Sequence, residues 1–105
     1  MKLIINKNQL ETNPDQFIRR AGYARLHDRR SGQYSYARRL SSDFYPRFHL
    51  YINEESDKVI FNLHLDQKRP GYAGQNRHNA EYDGELVEEE IKRLRSLLLP
   101  SFMNI

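Results

Sequence analysis

Two runs of alternating character constrain this chain most: Pro46-Arg47-Phe48-His49-Leu50-Tyr51-Ile52 and Lys58-Val59-Ile60-Phe61-Asn62-Leu63-His64-Leu65-Asp66. Successive side chains of a strand point to opposite faces. Phe48, Leu50 and Ile52 then share one face, as do Val59, Phe61, Leu63 and Leu65. The opposite face receives Arg47, His49 and Tyr51 from the first run, and Asn62, His64 and Asp66 from the second. The pattern predicts a sheet with one apolar face and one polar face suited to binding.

The rest of the chain supplies elements to complete that sheet. Asn13-Pro14-Asp15-Gln16 has the chemistry of a helix start: Asn caps, Pro occupies the first helical position, and Gln at the third can reach back. Phe17, Ile18 and Ala21 give this short helix an apolar side, and Gly22 ends it. Tyr23 to Asp28 alternates. Asp28-Arg29-Arg30-Ser31-Gly32 reads as a tight hairpin loop, and Gln33 to Leu40 is the return strand. With the two opening runs this makes a four-stranded antiparallel meander. Met1 to Asn6 is either a fifth strand or a free arm. From Asp83 or Gly84 to about Leu99, Val87, Ile91, Leu94 and Leu98 fall on one helical stripe. Early glutamates and late cations complement the helix dipole, with Glu88–Lys92 and Glu89–Arg93 as side-chain pairs. The expectation is one α+β domain over residues 1–105: a mainly antiparallel four- to five-stranded sheet, with a short N-terminal helix and a long C-terminal helix on its apolar face. Residues 67–82 form a polar loop of the kind that is functional or flexible, and residues 100–105 form an apolar tail.

Absent residue types narrow the chemistry. The chain has no cysteine, which excludes disulfides and thiolate metal sites. No apolar run is long enough to span a bilayer and no signal-peptide pattern occurs, so a cytoplasmic location without membrane contact is expected. Charge is uneven: residues 1–50 hold ten lysines and arginines against four acids, and the remainder holds seven against ten. The cations of the first half are mostly arginine, which forks onto phosphate and stacks on bases.

From Tyr45 to about Arg95 the chain resembles an uncharacterised family of small proteins common in candidate-phylum (Patescibacteria-type) bacteria. The resemblance is carried by Pro46-Arg47-Phe48-His49, by Phe61 to Pro70 (FNLHLDQKRP) and by Glu81-Tyr82-Asp83-Gly84-Glu85. It implies a bacterial origin but no known activity, so it carries over no catalytic residue.

Four kinds of function suit these residues. The first is RNA or single-stranded DNA binding. His49, Tyr51 and His64 would stack and hydrogen-bond, with Arg47, Lys68, Arg69, Tyr72 and Arg77 around them and Tyr23, Arg25 and His27 on a neighbouring strand. The second is acid–base cleavage of RNA by His49 and His64, with Arg47 or Lys68 stabilising the charge that develops. The third is a metal site. His64-x-Asp66 places two ligands on one face, and His49, His78, Glu81 and Asp83 lie within possible reach, but no standard ligand spacing is matched. No metal or other cofactor is therefore expected. The fourth is protein interaction, including a homodimer, through an edge strand (either Gln33–Leu40 or Met1–Asn6) or through Phe102, Met103 and Ile105. Nucleic-acid binding is the leading expectation.

Overall fold

The computed structural model describes residues 1–67, 80–81 and 84–100. In chain order the elements are β1 (Lys2–Asn6), a single 3-10 turn (Lys7–Gln9), α1 (Pro14–Arg20), β2 (Ala24–His27), β3 (Tyr34–Arg39), β4 (Arg47–Glu54), β5 (Lys58–Asp66), β6 (Ala80–Glu81) and α2 (Glu85–Ser96). The architecture is α+β. Strands β2 to β5 form the meander, β1 pairs antiparallel with β5, and the sheet runs β1-β5-β4-β3-β2. The two-residue β6 pairs with the last residues of β5, Leu65 and Asp66. The return strand Gln33–Leu40, expected as an edge candidate, lies inside the sheet as β3, between β2 and β4.

Local chemistry accounts for the turns. Asp28 organises the β2–β3 hairpin: its Oδ1 accepts from Arg30 N–H at 3.0 Å and its Oδ2 from Ser31 Oγ at 3.0 Å. Gly32 takes the positive φ of 76° that other residues resist. The Asn13 side chain accepts from Gln16 N–H at 2.8 Å, which satisfies a donor that the start of α1 leaves over.

The order of the strands places α1. β1 and β2 lie at opposite sides of the sheet, so the chain between them must cross it, and it does so over the apolar face. Ile18 is buried there, and the Phe17 ring lies 5.8 Å from that of Phe61. Phe48, Leu50, Val59, Phe61, Leu63 and Leu65 are all buried, as their alternation requires. Leu3 and Ile5 of β1, Ala21, Tyr23, Tyr36 of β3, and Val87, Ile91 and Leu94 of α2 complete this core. Each such side chain contributes roughly 1.5–3 kcal/mol by leaving water.

α2 is shorter than the apolar stripe suggests. It ends at Ser96 rather than near Leu99, at three turns. Leu97 and Leu98 donate to Leu94 and Arg95 in the tighter three-residue spacing, and Leu99 N–H leaves to donate to Gln9 O at 2.9 Å. Pro100 also disfavours a helical residue before it.

One carboxylate lies within the helix–sheet interface. Glu90 is only 4% exposed, on the same side of α2 as Val87 and Leu94. Its Oε2 accepts from Tyr23 Oη at 2.6 Å, and Arg93 forks onto both oxygens at 2.8 and 2.9 Å. Arg93 also donates to Ala21 O at 2.8 Å, and Arg38 of β3 approaches Glu90 at 3.5 Å. The network fastens α2 to the end of α1 and to the sheet. Arg93 thus pairs with Glu90, where spacing along the helix suggested Glu89.

Candidate functional site

Pairing between β4 and β5 sets the polar face. Arg47 lies opposite Asp66, His49 opposite His64, and Tyr51 opposite Asn62. Directly opposed side chains share a face at close range, so the two histidines expected on one face are direct neighbours. Their ring centroids are 4.9 Å apart, and the His49 and Tyr51 rings are 4.8 Å apart.

Asp66 is the hub of this face. Its Oδ2 lies 3.2 Å from His49 Nδ1, and its Oδ1 lies 2.9 Å from His64 Nε2. Arg47 Nε approaches Oδ2 at 3.4 Å. The other ring nitrogen of His49, Nε2, lies 2.9 Å from Ser35 Oγ on β3. The side chains of His49, His64 and Asp66 are only 12–17% exposed. Burial pushes the Asp66 carboxyl upward, but hydrogen bonds from His49 and His64 and the charge those rings can carry outweigh it. Asp66 is held well below the usual carboxylate range and is ionised at neutral pH.

The neighbouring strand differs from expectation. Arg25 pairs with Tyr36, and Tyr36 with Leu50, so Arg25 and His27 belong to the helix-covered side of the sheet. Arg25 reaches Asp15 of α1 at 3.4 Å, and Tyr23 is buried against Glu90. Neither Tyr23, Arg25 nor His27 joins His49. The sequence misleads here because β2 lies at the sheet margin, where Arg25 and His27 stay exposed although they share the core side, so polar residues are tolerated there.

Two other contributors were missed. Ser35 carries no motif of its own; only the β3–β4 register brings it to His49. Arg39 lies directly opposite Arg47 on the open face, and each guanidinium lies over a ring: Arg39 over Phe44 at 5.0 Å and Arg47 over Tyr45 at 4.8 Å. By register Lys2 and Lys58 also fall on this face, and among the described strand positions Asp66 is its single carboxylate. The acids Asp15 and Glu90 stand on the helix side. Lys68, Arg69, Tyr72, Arg77 and His78, expected in the functional loop, lie outside the described residues, as does the tail from Ser101.

No family model matches this chain, and no curated protein or solved structure matches it either. Among the described residues, no helix is long and apolar enough to cross a membrane.

Proposed function

We propose that the open face of the sheet binds single-stranded nucleic acid, RNA or DNA. The observation that carries this reading is the facing pair Arg39–Arg47. Like charges directly across a sheet repel one another; Asp66 offsets Arg47 from one side at 3.4 Å and Arg39 donates to Ser42 O at 3.3 Å, and a phosphate between the two guanidiniums would add charge-assisted hydrogen bonds to both. Exposed rings lie along this face: Phe44, beneath Arg39, is 62% exposed, and Tyr51, beyond His49 on β4, is 42% exposed. A base stacked on such a ring gains roughly 1–3 kcal/mol, whatever its identity. His49 and His64 would then sit beside the backbone of the bound strand.

Fluorescence anisotropy with labelled single-stranded RNA and DNA tests this reading at two salt concentrations. Binding should weaken with salt, and Arg39→Ala or Arg47→Ala should each reduce the salt slope by about 1. Tyr51→Ala should weaken binding to every sequence alike. Affinity that does not change with salt would refute the proposal.

One observation favours a second reading, His-dependent cleavage of RNA. Both imidazoles contact the same carboxylate at 2.9–3.2 Å, which orients two rings of the kind used in acid–base catalysis side by side. Cleavage would need the 2′-hydroxyl, so RNA should be cut and DNA spared. His49→Ala and His64→Ala should each abolish cutting with the fold intact, and cutting retained in both variants would exclude this reading.

A further inference from the structure

We propose that His49, His64 and Asp66 form a binding site for a divalent transition-metal ion of the zinc type. This inference shares Arg47, His49 and His64 with the nucleic-acid reading but is carried by the ligand geometry alone. The three side chains each offer one ligand atom, and those atoms lie within 4.8 Å of one another. His49 Nδ1 and His64 Nε2 approach separate oxygens of Asp66, at 3.2 and 2.9 Å. Zinc binds histidine nitrogen and carboxylate oxygen at about 2.0–2.2 Å, so adjacent tetrahedral ligands lie about 3.4 Å apart. An ion could enter between these atoms with small rotations of the side chains.

The surroundings match what a metal site needs. His49 is held through its other nitrogen by Ser35 Oγ at 2.9 Å, and an outer hydrogen bond of this kind fixes ring orientation and tautomer. The strands themselves supply the spacing: His64 and Asp66 are two apart on β5, and His49 is the direct cross-strand partner of His64. Three protein ligands leave a fourth position for water or an anion. Arg47, 3.4 Å from Asp66, balances the carboxylate charge and favours an anion at that position. Cysteine is absent from the chain, and the nitrogen–oxygen set suits zinc, manganese or iron rather than softer ions.

The test uses metal salts and the whole chain, with no nucleic acid. Chelator-treated protein is equilibrated with zinc chloride, desalted and analysed for metal, and a parallel sample takes cobalt(II) chloride for visible absorption. The proposal expects one equivalent of zinc retained, a raised melting temperature, and the strong visible bands of four-coordinate cobalt. His64→Gln and Asp66→Asn should retain no stoichiometric metal while keeping the wild-type far-ultraviolet circular dichroism. Ser35→Ala should weaken binding about 10-fold. His27→Ala, on the helix-covered side, should bind as the wild type does. Wild-type protein that retains no zinc at micromolar concentration would overturn the proposal. So would equal retention by the wild type and folded His64→Gln and Asp66→Asn variants.

Discussion

Glu90 and Asp66 invite comparison, because each is a partly or wholly buried carboxylate gripped by several donors on one side of the same sheet. Glu90 stands between sheet and helix and is held by Arg93, Arg38 and Tyr23. Asp66 stands on the opposite face and is held by His49, His64 and Arg47. The first set has fixed charge at any physiological pH, and burial, then Glu90 itself, pushes the Tyr23 hydroxyl further up. The second set contains imidazoles, the side chains that exchange protons and bind metals near neutrality. The same device, a carboxylate satisfied by cations, therefore serves cohesion on one face and offers chemistry on the other. Partner type makes the difference.

The largest effect should come from breaking the inner network. Glu90→Ala would leave the buried Tyr23 hydroxyl and the Arg93 and Arg38 side chains, 35% and 34% exposed, without their acceptor, at a cost of about 3 kcal/mol. Urea denaturation measures this, and a cost near that of a surface change would place Glu90 outside the cohesive framework. Asp66→Asn should cost less, about 1.5–3 kcal/mol, because that face is more open and Arg47 keeps the Tyr45 ring.

A pH series sharpens the contrast. The folded Asp66 carboxyl is held below its unfolded value of about 4, so its stabilisation is complete above that pH and is lost as pH falls. Urea midpoints between pH 5 and 3 should fall more steeply for the wild type than for Asp66→Asn. Parallel slopes would mean that the His49 and His64 contacts do not stabilise the folded state.

Tyr23→Phe removes one donor from Glu90 but leaves the Arg93 fork, and about 1–2 kcal/mol is expected in the same assay. The smallest effect belongs to Arg19→Ala. Its pair with Asp15 is exposed and spans one helical turn, so the change should stay within about 0.5 kcal/mol. A larger loss would show that Asp15, which also accepts from Tyr36 Oη at 2.7 Å, depends on Arg19 to anchor α1.

Much of the candidate site is legible in the sequence alone. His49, His64 and Asp66 share a face because their strands alternate with period two, and that parity is local. Ser35 and Arg39 were not legible, because their place beside His49 and Arg47 depends on the register of a third strand. Glu90 was hidden for a related reason. It sits in the run Glu88-Glu89-Glu90, three identical side chains on a helix with charges all along it, and only docking against Tyr23 and Arg38 selects the buried one.

By itself the sequence determined which residues of β4 and β5 face inward, the capped start of α1, the hairpin at Gly32 and the apolar stripe of α2. These follow from backbone periodicity and from side chains bonding within a few residues of themselves. Tertiary structure decided the rest: β1 beside β5, β3 inside the sheet, Arg25 turned to the helices, α2 released at Ser96 towards Gln9, and two histidines meeting on one carboxylate. Those outcomes depend on pairings between residues distant in the chain, whose energies are settled when strands choose partners and register.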